Sequence, residues 1–141
     1  MRRLTALTAS LVLGLLAACG DDAPTDEQQV RETLTTFASS VEKRDYRTLC
    51  EDVFAPDLLD GLQQIGLPCE VAMRTSLGEV QAPKLTVGEV AIDGTTARAE
   101  IKSSADGQDP SSDTLALTKV DGRWQVSALG ADPEPKATPS P

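Results

Sequence analysis

Histidine and asparagine are absent from the 141 residues, and aromatic side chains make up only 3% of them. Without histidine the commonest neutral-pH general base and the commonest zinc and iron ligand are missing, so most His-dependent hydrolase, zinc-enzyme and non-haem iron chemistries are excluded. Basic residues are also scarce, 13 against 22 acidic ones, for a net charge of −9. Such a chain offers no positive footprint to a phosphate backbone, and nucleic acid is not an expected partner. The sequence has no glycine-rich phosphate cradle and no Gly-x-Ser-x-Gly elbow, and no motif in it asks for a cofactor.

What is present begins with an address. Arg2 and Arg3 precede an uncharged apolar stretch, Leu4 to Ala18, too short for a comfortable membrane span. Residues 1–18 therefore read as a signal peptide. The stretch ends in Leu16-Ala17-Ala18-Cys19, which resembles the bacterial lipobox, where a lipid is joined to the cysteine before cleavage. Cys19 is the expected lipid attachment site, with palmitate-like acyl chains as anchor, since two or more chains hold a protein durably where one does not. The expected location is the extracytoplasmic face of the cell membrane. A type I signal peptide cut nearby is the plainer alternative. Residues 19–25 read as the lipidated cysteine and a polar tether. Residues 130–141, with Pro133, Pro135, Pro139 and Pro141, read as a disordered proline-rich tail, plain or modified.

Residues 26–129 have the size of one domain. Thr25 and Gln28 have capping-box spacing, and Val30, Leu34, Phe37 and Val41 share one helical face, predicting a helix from Asp26 to Lys43. Asp45 reads as the N-cap of a second helix carrying Tyr46, Leu49, Cys50 and Val53. Pro56 opens a third through Leu58, Leu59, Leu62 and Ile65, stopped by Gly66. Pro68 opens a fourth with Cys69, Val71, Ala72, Met73 and Leu77, closed by Gly78. From Lys84 the period changes to two. Leu85 and Val87 alternate, Gly88-Glu89 breaks phase as a bulge would, and Val90 and Ile92 resume. Asp93-Gly94 turns the chain into Ala97, Ala99 and Ile101, which alternate with Arg98, Glu100 and Lys102. Ser103 to Ser112 reads as a polar loop. Leu115, Leu117 and Val120 lead through Asp121-Gly122 to Trp124, Val126 and Ala128, a second hairpin. The expected class is α+β, with N-terminal helices packed on a curved antiparallel sheet of at least four strands.

The lipobox, the long first helix, the segments Asp45-Tyr46-Arg47-Thr48-Leu49-Cys50 and Pro68-Cys69-Glu70-Val71-Ala72-Met73-Arg74, and the ending Asp121-Gly122-Arg123-Trp124 resemble small secreted bacterial lipoproteins of NTF2-like, cystatin-related fold. Such proteins are frequent in high-GC Gram-positive bacteria, and five lysines and three isoleucines with no asparagine are compatible with that origin. The resemblance implies a cone formed by a bent sheet, closed by helices, with a cavity at the open end. None of these segments is a catalytic signature.

With Cys19 committed to lipid, Cys50 and Cys69 remain in an exported chain, each on the inner face of a short helix, and a disulfide is the natural reading. Two buried free thiols are the alternative. Candidate pocket residues are Tyr46, as wall or core, Arg74, able to meet an anion or to pair with Glu70, and Trp124, as core or pocket floor. Asp106, Asp109 and Asp113 have calcium-like oxygen chemistry without EF-hand spacing, and read as a solvated loop.

Three functions follow from different classes. The favoured expectation is a non-catalytic binding domain for a small apolar ligand or an envelope protein, with the membrane engaged through Cys19. An isomerase- or cyclase-type enzyme would need a cavity carboxylate of raised pKa facing Tyr46 or another donor. A sensor domain would dimerise through the exposed sheet face.

Overall fold

The computed structural model describes residues 22–130. Cys19, the apolar segment before it and the proline-rich stretch after Gly130 lie outside the described residues. No helix among the described residues is long and apolar enough to cross a membrane.

Helix α1 spans Asp26–Lys43. The capping box forms as the spacing requires: Gln28 N–H donates to Thr25 Oγ1 at 3.2 Å and Thr25 N–H donates to Gln28 Oε1 at 2.8 Å. Asp26 and Glu27 place negative charge at the positive end of the helix dipole. The helix ends at Arg44, a non-glycine residue in the left-handed region (φ 58°). Val30 and Leu34 are fully buried, with Phe37 and Val41 packed beside them.

The second helix is shorter than its sequence pattern implies. Helix α2 covers only Tyr46–Thr48, and the chain then widens into a π-helical turn, Leu49–Val53. Asp45 caps α2, accepting from Thr48 N–H and Thr48 Oγ1. The wider turn leaves Leu49 and Val53 buried and delivers Phe54 and Ala55 to the sheet. There Phe54 bridges Val126 in parallel fashion and Ala55 N–H donates to the Val126 carbonyl at 2.8 Å.

Helix α3 runs Pro56–Gln64, with Pro56 in the first turn where its missing N–H is no loss. It buries no residue completely. Ile65, expected within the helix, is its C-cap and 73% exposed. Helix α4, Cys69–Leu77, buries Ala72 and Met73 and exposes Val71. Gly78 does follow it, but in a right-handed conformation (φ −63°). Space rather than handedness makes glycine suitable there, since a Cβ would run into the Arg74 carbonyl oxygen.

Four antiparallel strands follow in sequential order: β1 Lys84–Asp93, β2 Thr96–Ala105, β3 Gln108–Val120 and β4 Arg123–Leu129. The β1–β2 register shifts between Val87 and Val90, so the bulge falls at Gly88-Glu89. Asp93 pairs with Thr96, making Gly94-Thr95 the two-residue loop, one position later than expected. In the last hairpin Asp121 (φ 49°) and Gly122 (φ 79°) are both left-handed, the pattern of a type I′ turn.

The stretch Ser103 to Ser112 is not a loop. Strands β2 and β3 continue through it, with Ser103 opposite Ser111, Lys102 opposite Ser112 and Ala105 opposite Gln108 about an Asp106-Gly107 turn. Backbone pairing holds this extension while its side chains stay largely wet, so it has none of the apolar alternation that marks a half-buried strand. The β3–β4 pairing reaches only Leu115 and Leu129, and Pro110 sits in the part of β3 beyond it. The core lies between α1, the π-helical turn and the inner face of the sheet, around Leu34, Leu49, Phe54, Leu117 and Val126. Helices followed by a curved antiparallel meander make the α+β class expected from the sequence.

Candidate functional site

The inner face of the sheet changes character along its length. In β2 the inward positions are Ala97, Ala99, Ile101 and Ser103, and their β3 partners are Leu117, Leu115, Asp113 and Ser111. The first two pairs are buried core. Toward the third and fourth pairs the inner face turns from apolar to polar, with Ile101 still buried, and these residues line a groove of about 390 Å³. That lies within the range of about 300–1,000 Å³ usual for small-molecule sites.

One wall is α1, through Phe37, Ala38 and Val41, joined by Leu77 at the end of α4 and Val80 beyond it. The floor is Leu85, Ile101 and Leu115 from three adjacent strands, and exposed Leu129 stands at the rim. The opposite wall is polar: Ser103, Ser104, Gln108, Asp109, Ser111 and Asp113, with Lys84 at the β1 edge. Within it Ser111 Oγ donates to Asp113 Oδ2 at 2.9 Å, and the Ser103 and Ser111 hydroxyls are 2.9 Å apart.

The residues singled out from the sequence are placed elsewhere. Tyr46 is 7% exposed within the core, and its buried hydroxyl has no hydrogen-bond partner among the described residues. Trp124 is buried, and its indole N–H is committed to Asp26 Oδ1 at 2.9 Å. Lys119 Nζ donates to the same oxygen at 2.7 Å and stands 5.8 Å from the centre of the indole ring. Hydrogen bonds from Lys119 and Trp124, in that order, hold the Asp26 carboxyl below the ordinary carboxylate range. This cluster ties the first turn of α1 to the last hairpin; further along the helix Thr33 Oγ1 donates to the Trp124 carbonyl of that hairpin, and Arg31 donates to the Gly88 carbonyl of β1. Arg74 is exposed on α4. None of the three candidates lines the groove. The cysteine pair does form a bridge: Cys50 and Cys69 are disulfide-bonded with their Cα atoms 6.0 Å apart.

The groove's polar wall was assigned to a solvated loop by sequence reasoning. The signal that finds it is Asp106-Gly107, a third turn dipeptide of the same kind as the two recognised. Taken as a hairpin, it carries the alternation of Ala97, Ala99 and Ile101 onward to Ser103, and that of Leu117 and Leu115 back to Asp113 and Ser111. Asp106, Asp109 and Asp113 thus belong to a hairpin, and no group of three or more metal-ligating side chains is assembled among the described residues.

No family model matches the sequence, and no curated protein matches it closely. Among solved structures it is similar to an NTF2-like protein of unknown function from Shewanella baltica OS155, with a TM-score of 0.52 and 20% identity over 74% of this chain and 92% of that one. It is also similar to a de novo designed protein of NTF2 fold, NT-9, with a TM-score of 0.51 and 13% identity over 79% of this chain and 91% of the design. The chain therefore has the NTF2-like fold, a helix-closed cone on a curved antiparallel sheet. At these identities the likeness concerns the fold alone, and a fold of this kind does not name a function.

Proposed function

We propose that this chain is a lipid-anchored, extracytoplasmic and non-catalytic binding domain that takes a small, largely apolar ligand in its groove. The observation that carries the reading is the groove itself, where Leu85, Ile101 and Leu115 form an apolar floor beside Phe37, Ala38 and Val41 of α1. Two further features support the location. The lipobox-like Leu16-Ala17-Ala18-Cys19 follows an uncharged apolar run, and the Cys50–Cys69 bridge suits an oxidising compartment. A non-catalytic role accords with Tyr46 lying in the core rather than in the groove, while the groove's carboxylates, Asp109 and Asp113, are both exposed.

The test uses the full chain expressed in a Gram-positive host. Wild type is expected in the detergent phase on phase partition, with a mass showing a diacylglyceryl group on Cys19, and Cys19→Ala in neither state. Native mass spectrometry before and after denaturation is expected to show a retained small molecule that Ala38→Trp, which fills the groove, no longer holds. Absence of lipid on Cys19 would overturn the anchoring. A groove that stays empty and also fails to bind Nile red would overturn the ligand, and would leave an envelope protein as the partner.

A further inference from the structure

We propose that the groove selects amphipathic cations: a hydrogen-bond-donating ammonium or guanidinium held at Asp113, on an apolar body lying along Leu85, Ile101 and Leu115. The inference rests on the reading of the groove as a ligand site and narrows the chemistry of what enters it.

The strand register carries the first half of the argument. Asp113 is cross-strand from Ile101, at the inward phase that Leu115 and Leu117 occupy two and four residues later. Asp113 is exposed and lines the groove beside that apolar floor, while also bordering a second depression with Glu100, Lys102 and Thr114.

Proton counting carries the second half. A serine hydroxyl has one proton and a carboxylate has none to give. Ser111 gives its proton to Asp113 Oδ2. The contact between Ser103 and Ser111 must therefore be donated by Ser103. Every proton in the trio is then committed, and what remains toward the groove is acceptor: the Asp113 carboxylate and the Ser103 lone pairs. Asp109 adds a second negative charge to the same wall. A ligand head that donates and carries positive charge completes this set, whereas a carboxylate or phosphate head would meet acceptors and like charge. Lys84 also lines the groove, on β1 opposite Ser104, and its single positive charge is outnumbered by the negative charges of Asp109 and Asp113.

The test titrates the full chain with three probes of one apolar length, n-octylamine, 1-octanol and octanoate, followed by backbone amide shifts at Leu85, Ile101 and Leu115. Octylamine is expected to bind about tenfold more tightly than octanol, the effect of one charge-assisted hydrogen bond. Asp113→Asn is expected to erase that tenfold preference, octylamine losing about ten times more affinity than octanol. Ser111→Ala, which leaves the carboxylate in place, is expected to keep it. Equal binding of amine and alcohol, a preference for octanoate, or a loss in Ser111→Ala equal to that in Asp113→Asn would overturn the cation assignment alone. If none of the three probes moves those amides, the groove reading itself fails.

Discussion

Replacing both bridge cysteines, as Cys50→Ser with Cys69→Ser, isolates the contribution of a covalent tie in a region that holds itself together poorly. Cys50 lies in the π-helical turn and Cys69 opens α4, with a sequence separation of 19. The loop between them contains α3, which buries no side chain fully and relies on partly buried Leu58, Leu59 and Leu62. Isolated helices this short are not stable in water. In the chain-entropy account, releasing a loop of about 20 residues returns about 3 kcal/mol to the unfolded ensemble. With a urea slope of about 2 kcal/mol per molar, the midpoint should fall by about 1.5 M. The thermal midpoint should fall by roughly 10–20 °C for a domain of this size. Trp124, the single tryptophan and buried in the core, reports unfolding by fluorescence. No residue between Cys50 and Cys69 lines the groove, so octanol binding by the folded variant should match wild type. An unchanged urea midpoint and slope would refute the loop-entropy reasoning. Loss of groove binding in a folded variant would refute the separation between bridge and groove.

Leu34 is fully buried on α1 within the core, and Leu34→Ala should lower the unfolding free energy by about 3 kcal/mol through lost transfer and a residual cavity. A loss below about 1 kcal/mol in urea titrations would show that this face of α1 is not packed as described. Asp26→Asn tests the clip between α1 and the last hairpin. Hydrogen bonds from Lys119 and Trp124 lower the Asp26 pKa in the folded state, so the unfolded chain takes up that proton at higher pH. The stabilisation is present above the unfolded pKa and is lost as pH falls through the folded one. The variant's stability should therefore decline less steeply with acid than that of wild type. Some slope should persist, because Asp45, lowered by its bonds from the Thr48 N–H and hydroxyl, titrates in the same sense. Parallel urea midpoints for the two proteins between about pH 2 and 6 would dismiss the clip as a source of acid sensitivity.

Signals that act over a few residues were legible in the chain. The Thr25–Gln28 box sets the start of α1, Pro56 sets the start of α3, and the phase break at Gly88-Glu89 sets the bulge. The alternation of Ala97, Ala99 and Ile101 sets the inner face of β2. Each is decided by backbone sterics or by neighbours within about one helical turn or one strand repeat, which the sequence carries directly. Tertiary structure decided the rest. Whether Trp124 floors a pocket or serves as a clip depends on Asp26, 98 positions away in the chain. Whether Ser103 to Ser112 is loop or strand depends on cross-strand hydrogen bonds that leave no hydrophobic period behind. The groove joins α1, the end of α4 and all four strands, from Phe37 and Val41 on one side to Asp113, cross-strand from Ile101, on the other. Residues from 37 to 130 meet there, and only the packed chain brings positions so far apart in sequence to one groove.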